Sequence, residues 1–519
     1  MQSPETVART GAGDRSRWVA LGVLSACLAV IAIDNTIVNV ALPRLQEDLS
    51  ATTAELQWVI DAYSLMFAGA LLTAGSLGDR FGRRRLLIGG LVLFGVASAV
   101  ATLAPDALTL TFCRAIMGIG GAAIMPSTLS LLTQVFPDAT ERSRAIGIWA
   151  AVAGGAVALG PILGGVLLEH FDWHAIFAVN PLLVIALLPA VVLLIPESRD
   201  PARPRLDPLG AVLSTAGLIG IVYAVVEFPE VGLSSSTTVP FIVGVALLVA
   251  FVGWENRSDH PMLPMEFFRR RVFSVSVGAV AVVYFALMGA MFFVPQYLQL
   301  VKGGTPLMSG LGVMPLAGGL LVASLASTAV ANAISSRTTV VAGMSAVAAG
   351  LLAASTLGTD SPAGLLPICL GVVGIGLGLT LPQATNGILG SVPREKSGIA
   401  AAVNDAFSEL GGSLGVAVLG ALLSSQYRNA IDAAVTAAGD AAANLPAGVL
   451  EGVRESLGTA VLSAARAGGE AGPVIVATAG EAFTSGMGWA MAIGALVPAL
   501  GAVVAWRLFP RQVEQASHG

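Results

Sequence analysis

Fourteen stretches of about 20 mostly apolar residues, joined by short polar turns, leave this chain one solvent to fold in. They run near 18–41, 55–77, 86–104, 107–134, 142–167, 174–195, 207–226, 238–256, 273–296, 305–331, 339–358, 363–389, 398–424 and 481–507. The chain is 55% hydrophobic and 11% charged over 519 residues, whereas soluble domains carry about 25% charged residues. A soluble fold of this size has too little interior for so much apolar surface. The prediction is an all-α integral membrane protein with 14 transmembrane helices.

Charge placement sets the threading. Short basic loops stay on the cytoplasmic side of a membrane. With fourteen spans, the even-numbered loops and both termini share one side, and that side holds 21 of the 27 Lys and Arg residues. The opposite side holds Arg44, Lys302, Arg428, Arg454 and Arg466, and Arg114 is left inside a span. Removing any one helix scrambles the split. The expectation is a multi-pass protein of the cytoplasmic membrane with both termini cytoplasmic. Arginine outnumbers lysine 25 to 2, a weak sign of a high-GC bacterial source. The first apolar run is long and lacks a small-residue cleavage site, which speaks against a removed signal peptide.

Three parts follow from the spacing: a six-helix bundle over 1–195, two inserted helices with linkers over 196–272, and a six-helix bundle over 273–519. Paired six-helix repeats are a common transporter plan. Between about 425 and 480 the chain is rich in Ala and Gly with scattered charge, and reads as a long outer excursion with amphipathic helices on the membrane surface.

Several function classes drop out. Net charge is −5 with no extended basic patch, against nucleic-acid binding. Cys27, Cys113 and Cys369 all lie in apolar runs and read as small buried hydrophobes. Gly118–Ala123 formally resembles a nucleotide-binding turn, but sits inside a long apolar helix with no strand before it. His170 and His174 straddle an outer turn and lack a third convincing ligand. There is no phosphate-binding loop and no catalytic constellation. Neither enzyme activity nor a metal is expected, and the implied energy source is a proton gradient, with no cofactor.

Gly75–Leu87, GSLGDRFGRRRLL, is the most charged short turn. Gly75 and Gly82 permit tight turning and close helix approach. Asp79 can pair with an arginine of the same turn or cap a neighbouring helix. Such a cluster, with Arg80, Arg83 and Arg84, can latch two helix bundles in one state and release them in another; the alternative is that its arginines only anchor topology. In the fifth span, Pro161 weakens the helix, and Gly160, Gly164 and Gly165 make a smooth packing face.

Ionisable residues inside spans carry the functional argument, because each costs about 2.5–3.5 kcal/mol at a helix centre and needs a partner, a wet cavity or a proton. Asp34 in the first span and Arg114 in the fourth lie at matching depth and can pair. An Asp that alternates between an arginine neighbour and none alternates between ionised and protonated, which outlines a proton-coupling device; structural pairing alone is the alternative. Asp405 and Glu409 are spaced i, i+4 and share one helix face, with no basic residue in their span, so they can take a cation or share a proton; a salt bridge to another helix is the alternative. Asp61, with Trp58 and Tyr63 nearby, is a candidate for the outer mouth of a cavity. Gln383 and Asn386, beside Pro382, are candidate polar lining.

These motifs together resemble the major facilitator superfamily, and within it the fourteen-span drug:proton antiporters. Gly75, Leu77, Asp79, Arg80, Gly82, Arg83 and Arg84 match the signature between the second and third spans. Asp34–Pro43 resembles the family's first-span motif. Arg114, Gly118, Gly120 and Gly121 resemble its fourth-span motif, with Met117 where Gln is common. Gly147, Gly160, Pro161, Gly164 and Gly165 resemble its fifth-span antiporter motif, with Ala156 where the pattern has Gly. The resemblance implies two bundles that alternate access, a conformational gate at 75–84, a fifth helix that biases transport toward export, and a monomer. The expected partners are the lipid bilayer, protons and small amphiphilic or cationic substrates. The reading is a proton-coupled efflux transporter for lipophilic, cationic compounds. An exporter dedicated to one endogenous metabolite or antibiotic, or a proton-coupled importer, would use the same scaffold; a non-transporting receptor or enzyme fits least.

Overall fold

The computed structural model describes residues 11–198, 207–258, 261, 263, 265–362, 364–392, 397–438, 445, 448–467 and 471–509. Of the basic residues used above, Arg9, Arg199, Arg203, Arg205, Arg394, Lys396 and Arg511, and the side chain of Arg15, lie outside the described residues.

The long elements are helices: α1 (Gly11–Leu49), α2 (Thr53–Phe81), α3 (Arg83–Ala101), α4 (Ala107–Val135), α5 (Ala139–His170), α6 (His174–Leu194), α7 (Pro208–Val231), α8 (Ser235–Glu255) and α9 (Arg271–Gln296). They continue with α10 (Pro306–Gly312), α11 (Met314–Ile334), α12 (Ser336–Ala354), α13 (Leu365–Gly390), α14 (Ser397–Ala438), α15 (Val449–Glu455), α16 (Leu457–Ala467) and α17 (Ala471–Leu508). A short π-turn, Tyr297–Val301, extends α9.

Among the described residues, 13 helical stretches are long and apolar enough to cross a membrane. With α2, which has 29 residues, they make the fourteen expected. The tenth span is two helices, α10 and α11, broken at Val313. Pro315 follows at the start of α11, and its missing N–H explains why the first helix cannot simply continue.

Polar caps sharpen the helix starts. Thr52 Oγ1 accepts from the Glu55 N–H while Glu55 Oε2 accepts from the Thr52 N–H, 3.1 and 2.8 Å, a reciprocal cap that satisfies two otherwise orphan donors. Asp106 Oδ1 accepts from the Thr109 N–H at 2.7 Å and starts α4; that bond holds its carboxyl below the usual range.

Close crossings rest on small residues. Gly90 of α3 faces Gly120 of α4, and Gly118 and Gly121 of α4 lie against Tyr63 and Phe67 of α2. The glycine run that mimics a nucleotide motif is therefore a packing surface.

Helix pairing in the first six spans recurs in the last six. α1 packs on α5 and α6, α2 on α4, and α3 on α4 and α6. Correspondingly, α9 packs on α14 and α17, α11 on α13, and α12 on α13 and α17. The two sets meet along α2–α14 on one side and α5–α10 on the other. The inserted pair α7–α8 lies outside this arrangement, with α7 seated against both α2 and α14. Trp58 stacks near Tyr223 of α7, ring centroids 6.2 Å apart.

The chain between 425 and 480 differs from the expected surface excursion. α14 runs on to Ala438 and α17 begins at Ala471, so the helices project past the apolar spans. Tyr427 and Ile431 are buried in the projection, as are Leu457, Ala460 and Ala464 of α16. Alanine is the strongest helix former, and the buried apolar faces of these helices pack on protein, α16 against α17 and α15.

Candidate functional site

The signature turn is tighter than a loop. α2 runs to Phe81, α3 starts at Arg83, and Gly82 alone joins them with φ +117°, a conformation side chains other than glycine's rarely adopt. The end of α6 clasps this corner. Glu197 Oε1 accepts from the Arg84 N–H at 3.1 Å, the Arg83 N–H donates to Ser198 O at 2.8 Å, and Arg84 donates to Ile195 O at 3.0 Å. A Cβ on Gly82 would meet the Glu197 carboxylate at 2.8 Å. Arg80 lies over the Phe81 ring, 5.5 Å from its centroid. Gly75 meets no atom within 4 Å of where its Cβ would be. The Asp79 side chain lies outside the described residues.

In the middle of the first six spans, Asp34 and Arg114 form a buried ion pair. The surroundings complete it. Asn180 Nδ2 donates to Asp34 Oδ1 at 2.7 Å, and Ser98 Oγ lies 3.1 Å from the same amide while donating to Phe177 O at 2.8 Å. Arg114 Nε donates to Val59 O at 3.1 Å, and the guanidinium lies 4.3 Å from the Tyr63 ring centroid. Four helices, α1, α2, α4 and α6, thus hold one charge pair, with α3 behind Asn180. A guanidinium and a carboxylate at this depth need such a shell, since neither can be left unpaired away from water.

The second acidic group lies across the interface on α14. Asp405 and Glu409 line a cavity of about 140 Å³ with Asn404, Ser408, Thr385, Leu381, Tyr284, Val280, Phe67 and Met125. Five helices contribute: α2 and α4 from the first set, α9, α13 and α14 from the second. Asn404 Nδ2 donates to Asp405 Oδ1 at 3.0 Å, and Thr385 Oγ1 donates to Asn404 Oδ1 at 3.1 Å. Glu409 is set beside Ser64 of α2 and Asn35 of α1, and within the field of Arg114. No arginine or lysine bonds either carboxylate among the described residues. One wall is aromatic and apolar, the other doubly acidic, which suits an organic cation.

Asp61 is fully buried at the α2–α14 seam, with Ser413 as its polar neighbour. It sits within the closed seam and lines no open mouth. Trp58 faces α7, packed on an apolar cluster that α2, α7 and α14 share. Tyr63 covers Arg114 and stacks on Phe67. Gln383 turns to α11, its Nε2 donating to Ser327 Oγ at 3.1 Å, and Asn386 is exposed. Neither lines the cavity, which Leu381 and Thr385 of the same helix reach instead. The structure thus brings together Asp34, Arg114 and Tyr63 in one group and Asp405 and Glu409 in another.

α5 carries the proline–glycine face between the two sets. Gly160 lies against Thr36 of α1, and Gly164 against Ile37. Gly165 lies against Leu307 of α10, and Pro161 against Gly310. Gly147 lies more than three turns from Gly160 toward the arginine-rich end. These glycine and proline contacts lie in the half of α5 away from the arginine-rich end, where Arg17 of α1 pairs with Glu141 of α5 at 2.9 Å. Gly154 and Gly155, at the middle of α5, meet nothing within 4 Å. Gln299 Nε2, donating to Val40 O at 2.9 Å, adds another contact across the closed end.

Residues missed from the sequence are neutral and polar: Ser98, Asn180, Tyr284, Asn404, Ser408 and Ser413. Asn180 carried a signal, a lone amide within the apolar run VNPLLV. The serines, ordinary in helices, carried none.

The family model that describes the Major Facilitator Superfamily matches residues 24–416. The chain belongs to the major facilitator superfamily. It is 41% identical over 418 residues to the multidrug efflux pump LfrA of Mycolicibacterium smegmatis, covering 80% of this chain and 82% of that protein. It is 34% identical over 517 residues to the tetracenomycin C resistance and export protein of Streptomyces glaucescens, covering 98% and 95%. Among solved structures, it resembles a bacterial homologue of the lysosomal transporter Spinster in an inward-facing, unoccupied conformation, with TM-score 0.67 and 16% identity over 95% of this chain and 98% of that one. That likeness speaks to fold alone. As a superfamily member, the chain is a multi-pass membrane transporter.

Proposed function

We propose that this chain is a proton-driven exporter of lipophilic cations, embedded in the cytoplasmic membrane with both termini inside. The observation that carries the reading is the pairing of a buried Asp34–Arg114 ion pair in the first six spans with an acidic cavity on α14 that reaches the same arginine's field. Protonating Asp34 cancels its charge and leaves Arg114 without its counterion. A surplus positive charge facing Glu409 repels a cation bound there, and a cation held by Asp405 and Glu409 in turn favours the ionised Asp34. Proton and cargo are thus bound alternately. The two six-helix halves rock about this centre, with α5 sliding on α1 and α10 and the turn at Gly75–Arg84 latching the arginine-rich end. The export direction is supported by the two efflux and export relatives.

The test is efflux from proteoliposomes under an imposed pH gradient with a lipophilic cation as cargo. The parent accumulates the cation on the acidic side and Asp34→Asn does not; undiminished transport by Asp34→Asn would end its role. Uptake in the opposite sense would instead identify an importer. A second reading, export of one antibiotic, is favoured by the Streptomyces relative, which matches nearly end to end; transport confined to one compound in a substrate screen would select it.

A further inference from the structure

The projecting helices between α14 and α17 do something the transport cycle above leaves unused. α15 and α16 belong to the last six spans by connection and by contact: Tyr427 donates to Val453 O at 2.8 Å, Arg454 pairs with Asp432 at 2.8 Å, and α16 packs along α17. Their tip, however, bonds to the first six spans. Gln46, near the end of α1, donates from Nε2 to Ser456 Oγ at 2.7 Å, and both residues are buried. Ser456 is the hub of the α16 start, accepting from the Thr459 N–H at 3.2 Å and bonding the Thr459 hydroxyl at 2.7 Å. Gly458, the second residue of α16, admits the Gln46 side chain; a Cβ there would lie 2.9 Å from Gln46 Cγ. The reach is specific, because the hydroxyl that starts the helix also receives the amide from the other half.

We infer that α15–α16 is a strap that bolts the end opposite the arginines shut, with Gln46 and Ser456 as the bolt, and that this end opens only when that contact parts. The strap is carried by one half and grips the other across the boundary that rocking must separate. A hydrogen bond between two neutral groups is weak enough to break once per cycle, and the close fit of Gly458 makes it re-form in one register. The inference rests on the alternating-access reading given above.

The experiment is a cysteine pair, Gln46→Cys with Gly458→Cys, in the full chain reconstituted in vesicles. Disulfides need Cβ atoms about 3.5–4.5 Å apart, and a Cβ on Gly458 would lie 2.9 Å from Gln46 Cγ, one bond short of the Gln46 Cβ. Oxidation is expected to cross-link the pair and lower pH-driven efflux at least tenfold, with recovery on reduction, while each single cysteine variant is indifferent to oxidant. A cross-linked pair that still transports at the parent rate would overturn the strap, and so would a pair that never cross-links. As a second arm, Gln46→Ala with Ser456→Ala is expected to raise labelling of Val40→Cys by a water-soluble thiol reagent several-fold; unchanged labelling counts against the bolt. If the parent itself shows no pH-driven transport, the functional reading fails first, and the cross-link yield alone then reports the contact.

Discussion

Two acidic sites face each other across the middle of this protein, and they are built on opposite principles. Asp34 is saturated: a guanidinium holds one oxygen, an amide the other, and a serine steadies that amide. Asp405 and Glu409 are hydrogen-bonded only by neutral groups, Asn404, Ser64 and Asn35, with Arg114 near but bonded elsewhere, and they open onto a cavity. A saturated carboxylate has room for nothing larger than a proton. An acidic pair lacking a cationic partner, beside a tyrosine and a phenylalanine, has room for a molecule. The division of labour between proton and cargo follows from which side was left incomplete.

The comparison breaks most visibly at Arg114. Arg114→Gln strands the Asp34 charge in a dry site, and removing one member of a buried pair costs about 3–5 kcal/mol; we expect lost transport together with a clearly lower melting temperature in detergent. A parent-like melting temperature would mean that water or another group already serves Asp34. Asp405→Asn with Glu409→Gln should do the reverse, leaving the fold intact while the affinity for lipophilic cations falls about tenfold or more, equivalent to at least ~1.4 kcal/mol. Binding of neutral amphiphiles is expected to hold, and an equal loss for both cargo classes would remove the charge argument. Asn180→Ala, which deletes a bond to a charged group, is expected to cost about 1.5–3 kcal/mol, read as a roughly tenfold slower pH-driven turnover with cargo affinity unchanged. Trp58→Ala is the smallest: its aromatic contact with Tyr223 is worth about 0.5–1.5 kcal/mol, so we expect slight destabilisation and unaltered selectivity. Changed selectivity would return Trp58 to the cargo path.

The span positions and the Asp34–Arg114 partnership were legible because hydrocarbon leaves few options: apolar runs must cross, and charges inside them must pair. The spacing of Asp405 and Glu409 likewise put them on one face without any structure. Rotation about the helix axis was not legible. Trp58 and Gln383 lie in runs with polar residues on several helix faces, Glu55, Gln57 and Asp61 about one and Thr385 and Asn386 beside the other, so their own runs do not say which face meets a cavity, α7 or α11. Asn180 and Asn404 went unread because an uncharged amide carries no obligatory partner. The region 425–480 misled because its scattered charges lie on one side of helices whose alanine-rich faces pack against protein. Gly82 shows the same limit at small scale: a basic turn was evident, but not that one residue makes it.

The most direct test of the central claim is proton release from the purified protein when a lipophilic cation is added in weak buffer. The account predicts release that saturates with cation binding in the parent and is lost in Asp34→Asn while the cation still binds. Binding without release in the parent, or full release from Asp34→Asn, would contradict it.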